Sequence, residues 1–135
     1  GGYYFGPLIA EIPSAEFLRT EVFGPILHVV RYDPDQIESA AATVRSAGYG
    51  LTLGIHTRIE AFAERVRRLV PAGNIYVNRS MTGAVVGVQP FGGLGLSGTG
   101  PKAGGPHTLL RYAVEQAVSI NIAAQGGDPE LLNLS

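Results

Sequence analysis

Nine glycines lie between Gly83 and Gly105, and residues 80–106 also carry three prolines and few charges. Each Gly costs a helix about 1 kcal/mol relative to Ala and each Pro about 3 kcal/mol, so the stretch is closed to helix. It is equally closed to a long strand, since Gly brings no side chain to pack and Pro no N–H for a ladder. A long loop is left. Loops of this length in compact domains are either functional or disordered. Val85, Val86, Val88, Phe91, Leu94 and Leu96 supply apolar surface that predicts an ordered, packed course.

The flanking sequence must provide the scaffold, and before the loop it alternates strands and helices. Residues 3–12 and 26–32 are aromatic and β-branched runs that predict strands. Asp33-Pro34 opens a helix, with Asp33 as cap, Pro34 as first helical residue and Gln36 completing a capping box. Ile37, Ala40, Ala41 and Val44 then share one helical face, and Gly48 supplies the stop. Residues 51–56 predict the next strand. Thr57-Arg58-Ile59-Glu60 reads as a second capping box, leading to a helix whose apolar face holds Ile59, Phe62, Ala63, Val66, Leu69 and Val70. Pro71 and Gly73 end it, and residues 74–78 (NIYVN) form a short buried-type strand. Strands separated by single helices imply right-handed βαβ crossovers in a parallel sheet, so the fold class is α/β.

After the loop, residues 107–112 predict a short helix, and Val114, Gln116, Val118, Ile120 and Ile122 alternate with Glu115, Ala117, Ser119 and Asn121. That period of two predicts a strand with an edge in need of a partner. The expected division is a body over residues 1–112 and a terminal strand with a polar tail over residues 113–135.

At 135 residues, 45% hydrophobic and 16% charged, the chain can bury a core but holds no more than about one domain. Ten Lys and Arg against eleven Asp and Glu leave no basic footprint for nucleic acid. No apolar run is long enough to span a bilayer. There is no Cys, which excludes disulfides, thiolate metal sites and a thiol nucleophile within these residues. The only Met is internal, Met81, so the chain is expected to be a piece of something longer.

Several patterns look chemical and read better as structural. Gly93-Leu94-Gly95-Leu96-Ser97-Gly98 matches G-x-G-x-x-G, but a dinucleotide fingerprint needs a helix to open at its end, and Pro101 and Pro106 follow instead. His28, His56 and His107 lack metal-ligand spacing. Ser80, Thr82 and Ser97 lack a nucleophile elbow. Glu21 stands apart: it is followed by Val22, Phe23 and a Gly24-Pro25 turn, where a carboxylate could accept two hydrogen bonds from a diol while the aromatic packs alongside. On spacing alone, a solvated turn carboxylate is the simpler reading.

Three segments change that balance. Glu21-Val22-Phe23-Gly24-Pro25 resembles the E-[IV]-F-G-P motif of the aldehyde dehydrogenase superfamily. Gly73-Asn74-Ile75-Tyr76-Val77-Asn78 and Gln89-Pro90-Phe91-Gly92-Gly93 resemble its later G-x-[IV]-x-[IV]-N and P-F-G-G motifs, in the family's order. The resemblance runs from Tyr4 to about Ile122. Residues 85–93 and 97–106 resemble the L-glutamate γ-semialdehyde (Δ1-pyrroline-5-carboxylate) dehydrogenases, and within the second the run Thr99-Gly100-Pro101-Lys102-Ala103-Gly104-Gly105-Pro106 is most similar to those of the bifunctional proline utilization A flavoenzymes.

That resemblance implies NAD as cofactor and oxidation of L-glutamate γ-semialdehyde to L-glutamate through a cysteine thiohemiacetal and a thioester. FAD is implied only if a proline dehydrogenase domain precedes. It places the family's nucleophilic Cys, general-base Glu and oxyanion Asn upstream, so this chain alone should be inactive and contains no catalytic residue. Carried over by motif, Glu21 is the residue that holds the nicotinamide ribose and Phe23 the aromatic beside the nicotinamide. Gly83 and Ala84 match the loop whose backbone N–H groups bind the substrate α-carboxylate, and Phe91 the aromatic on its aliphatic stem. Where relatives carry a Ser, Ala84 has no hydroxyl, so anchoring would rest on main chain. The resemblance further implies a homo-oligomer through residues 114–122, a cytoplasmic location and no metal. A non-catalytic binding or assembly module derived from the family is the alternative, as is another subfamily, against which residues 100–106 argue.

Overall fold

In the computed structural model, which describes residues 2–85, 87–121, 124 and 126, the apolar runs Leu8–Glu11 (β1) and Ile26–Val29 (β2) lie side by side in parallel. Leu8 stands opposite Ile26 and Glu11 opposite Val29, and Arg31 Nε reaches back 2.8 Å to Glu11 Oε1. A single 3-10 turn, Ala15–Phe17, capped by the Ser14 hydroxyl, makes the return. Both strands are shorter than their sequences suggest; Gly6-Pro7 delays the first, and neither run continues along a third strand.

Helix α1 spans Ile37–Ser46 and follows a 3-10 turn over Pro34–Gln36. The capping box expected at Asp33 is not formed. Asp33 caps with its carbonyl, which accepts from Gln36 N at 2.8 Å, so its carboxylate is not needed there and makes no cap bond. The helix ends as its sequence indicates: Gly48 takes φ 77°, a left-handed value costing Gly little. Ile37 and Ala41, one turn apart, are its buried residues.

After Tyr49–Gly50 (β3) comes a βαβ unit: Thr52–Ile55 (β4), helix α2 at Glu60–Leu69, and Asn74–Val77 (β5). β4 and β5 are parallel, Thr52 facing Asn74 and Ile55 facing Val77. The second capping box is also displaced. Asn78 holds Thr57 from both sides, Oδ1 accepting from Thr57 N at 2.9 Å and Nδ2 donating to Thr57 O at 2.8 Å. Thr57 is thereby fixed at the end of the strand pair, its hydroxyl turns the chain by accepting from Ile59 N at 3.1 Å, and α2 starts at Glu60. Asn78 itself sits at φ 54°, a conformation that Asn tolerates better than most residues.

The two helices pack on each other. Arg65 pairs with Glu38, and Arg45 Nη1 donates at 2.7 Å to Leu69 O, meeting a C-terminal carbonyl of α2 with a cation. The buried apolar residues are few: Ile12, Ile37, Ala41, Ile55, Ala63 and Tyr76.

The parallel sheet expected from the alternation is divided into three two-stranded ladders among the described residues. The third is antiparallel and joins β3 to Leu94–Gly95 (β6), inside the glycine-rich stretch. Gly95, at φ 58°, lies so close to the Gly48 carbonyl that a Cβ would overlap it. The formal G-x-G-x-x-G run therefore makes a strand and a turn, with no helix following.

The short helix after the loop is a 3-10 turn, Thr108–Tyr112. Residues 113–121 have no ladder partner, so the strand expected over 114–122 is not formed among the described residues; Ile122 and residues 127–135 of the tail lie outside them. An alternating strand needs a neighbouring edge, and the described residues offer none here. No helix among the described residues is long and apolar enough to cross a membrane.

Candidate functional site

Strand β5 carries the loop. Its positions 74 and 76 fall on one face by the strand period of two, both are buried, and both end in polar atoms. A buried amide and a buried phenol need partners, and each finds them in the glycine-rich stretch.

Asn74 serves the distal arm. Its Nδ2 donates to Pro90 O at 3.0 Å, and its Oδ1 accepts from Gly92 N at 3.4 Å and from Lys102 Nζ at 3.1 Å. Lys102 also donates to the Gly73 carbonyl, while its own carbonyl accepts from Thr108 Oγ1 at 2.6 Å. Phe91 and Ala103 exchange backbone bonds of 3.1 and 3.0 Å, tying the loop's two arms together. The backbone approaches itself so closely that a Cβ on Gly73 would overlap the Gly92 carbonyl, and one on Gly98 the Gly93 carbonyl. Gly is required there by space.

Tyr76 serves the proximal arm. Its hydroxyl donates to Gly83 O at 2.8 Å, and the Arg79 guanidinium lies 5.0 Å from its ring centroid, a cation–π distance. Gly83 has φ 74° and open space where a side chain would stand. Farther on, Gln89 Oε1 accepts from Val85 N at 3.2 Å, and Val85 O accepts from Gln89 N at 2.8 Å.

A concavity of about 510 Å³ lies between β2, β3 and the Ala15–Phe17 turn. Glu21, Thr20, His28, Tyr49 and Ser97 line it, with Val70 and Pro71 at its apolar side. Ser97 is locked, its Oγ accepting from Gly50 N at 3.1 Å. Phe23 is not among the lining residues; its side chain is 87% exposed two residues beyond Glu21.

Of the residues singled out by sequence, Gly83 is bonded to β5 directly and Phe91 lies between two residues that are, while Glu21 lines a separate concavity that shares Ser97 with the loop and Phe23 stands exposed outside it. Sequence reasoning overlooked Asn74, Tyr76 and Lys102. Two polar-tipped residues at i and i+2 in an otherwise apolar strand were the available signal.

The aldehyde dehydrogenase family model matches residues 1–118. Among curated relatives, the bifunctional protein PutA of Klebsiella aerogenes is 49% identical over 133 residues, covering 96% of this chain and 10% of that protein. Mouse mitochondrial Δ1-pyrroline-5-carboxylate dehydrogenase is 40% identical over 122 residues, covering 87% of this chain and 22% of the relative. A crystal structure of Bradyrhizobium japonicum proline utilization A superposes with a TM-score of 0.81 at 60% identity, over 93% of this chain and 13% of that one. The chain therefore spans about a tenth of the length of its bifunctional relatives. With the match extending over most of its residues and through all three motifs, the chain belongs to the aldehyde dehydrogenase family.

Proposed function

We propose that this chain is the part of an NAD-dependent L-glutamate γ-semialdehyde dehydrogenase that selects the substrate's carboxylate and helps place the cofactor. The observation that carries the reading is the loop over residues 83–106. It lies in a chain 49% identical to a bifunctional PutA and 40% identical to a Δ1-pyrroline-5-carboxylate dehydrogenase, and it is held by two buried side chains of one strand.

In this reading Gly83 and Ala84 bind the substrate α-carboxylate with main-chain N–H groups. Gly suits that task because its backbone can be approached closely and φ above zero costs it little. Phe91, half-buried and fixed by its exchange with Ala103, covers the methylene stem. Glu21 accepts hydrogen bonds from the nicotinamide ribose, and exposed Phe23 packs against the ring. Bound NAD would supply the hydride acceptor; these residues contribute orientation. FAD enters only if a proline dehydrogenase domain belongs to the same polypeptide.

Residues 1–112 then form part of the catalytic domain, and residues 113–135 an oligomerisation strand and tail that pairs with a second copy. The unpaired, alternating Val114, Val118 and Ile120, which are 94, 73 and 64% exposed, support this. The chain alone is inactive, because it has no Cys to form the thiohemiacetal.

Assay of the whole protein that contains this segment, with L-glutamate γ-semialdehyde and NAD, tests the reading. NADH formation is expected from the whole protein and none from the isolated chain. Turnover by the isolated chain, or a whole protein inert toward this substrate, would contradict it.

A further inference from the structure

We infer that Tyr76 is a positioning residue for the substrate's carboxylate, acting through the Gly83–Ala84 peptide, an inference that rests on the function proposed above. The Tyr76 hydroxyl donates to Gly83 O at 2.8 Å, and every peptide bond among the described residues is trans. In a trans peptide the carbonyl and the N–H of the same unit point in opposite directions. Fixing Gly83 O toward Tyr76 therefore turns the Ala84 N–H away from β5. Among the described residues, neither that N–H nor the one on Gly83 has an acceptor, and beyond Gly83 and its two chain neighbours no heavy atom lies within 4 Å of the place where a Gly83 Cβ would stand. The arrangement is a short stretch of backbone with outward donors, open space before it and a buried clamp behind it.

The clamp is stiff. Tyr76 is 4% exposed, so its ring cannot follow the loop, and Arg79 covers the ring at 5.0 Å. Ala84 has no hydroxyl to offer an anion, which leaves the orientation of its peptide as the means of selection. Without the phenolic hydroxyl, the peptide on a Gly at φ 74° can rotate and carry its donors off target. The ligand class is a carboxylate on an aldehyde-bearing chain. Glutarate, which has the carboxylate and lacks the aldehyde, is a suitable competitive probe.

Tyr76→Phe in the whole enzyme tests this, since the ring keeps its packing and only the hydroxyl goes. The KM for L-glutamate γ-semialdehyde and the inhibition constant of glutarate should both rise roughly three- to tenfold, as for loss of one neutral hydrogen bond. The kcat, and both constants for a simple aliphatic aldehyde, should hold. Arg79→Gln, a surface change that frees the ring without touching the backbone, should shift the same ratio in the same direction by less. An equal loss on both aldehydes, or no shift in either variant while wild type still prefers the carboxylate-bearing substrate, would overturn the role of Tyr76 alone. A wild-type enzyme with no such preference would overturn the proposed function as well.

Discussion

Asn74 and Lys102, 28 positions apart, meet in a hydrogen bond of 3.1 Å from the ammonium to the amide oxygen, and the same amide reaches Pro90 O at 3.0 Å. One side chain thus fixes both arms of the glycine-rich loop to the start of β5. Asn74→Ala leaves a buried carbonyl, a backbone N–H and an ammonium without a shared partner. At about 1–3 kcal/mol for buried polar groups left unsatisfied, the loss should be visible in urea denaturation. Lys102→Met should cost less alone, and the double variant should cost less than the two single losses together, because both remove one contact. Strict additivity would mean that the contact contributes nothing.

Glycine is required by space at Gly98 and not at Gly100. A Cβ on Gly98 would overlap the Gly93 carbonyl, whereas the nearest atom to one on Gly100 is Arg111 Cδ at 3.7 Å. Gly98→Ala should destabilise by about 1–3 kcal/mol or more, and Gly100→Ala should stay within about 0.5 kcal/mol of wild type. Equal thermal midpoints for the two would contradict the close approach of residues 93 and 98.

The Glu38–Arg65 pair makes stability depend on pH. The guanidinium hydrogen-bonded to Glu38 holds its carboxyl below the usual range. A carboxyl whose folded pKa is depressed contributes stability above its unfolded value, about 4.3, and loses that contribution as pH falls through the folded value. Glu38→Gln should therefore be slightly less stable than wild type at neutral pH, and the gap should narrow in acid and in high salt. Urea midpoints across the acid range read this directly; a gap independent of pH would assign the effect to the helix and not to the charge.

For cofactor placement, Glu21→Ala in the whole enzyme should weaken use of NAD more than binding of the aldehyde. Loss of these hydrogen bonds to a carboxylate, at roughly 1.5–3 kcal/mol in all, corresponds to a drop of about tenfold to a hundredfold in efficiency with NAD. Unchanged kinetics in NAD titrations would remove Glu21 from the site.

What was legible in the sequence was local. Ile37 and Ala41 repeat at helical spacing, Gly48 stops the helix, and residues 74–77 read as a strand because their pattern is decided within a few residues. The second helix start was misplaced because the partner is remote: Thr57 is held by Asn78, 21 positions away, which no capping pattern reveals. The loop was legible as a loop from its glycines, but its anchors were not, since the bonds from Tyr76 and Asn74 depend on which face of β5 is buried. The alternating strand over residues 114–122 needed an edge that is not found among the described residues.

The central claim is that the loop begun by Gly83 selects a carboxylate, and Gly83→Pro in the whole enzyme tests it most directly. Proline removes the N–H and cannot adopt φ 74°. The quantity to measure is kcat/KM for L-glutamate γ-semialdehyde divided by that for an aliphatic aldehyde of similar length, in the same variant and in wild type. This ratio should fall, because the aliphatic aldehyde never made the carboxylate contact. An unchanged ratio, with both substrates losing equally, would contradict it and leave the loop as a general wall of the site.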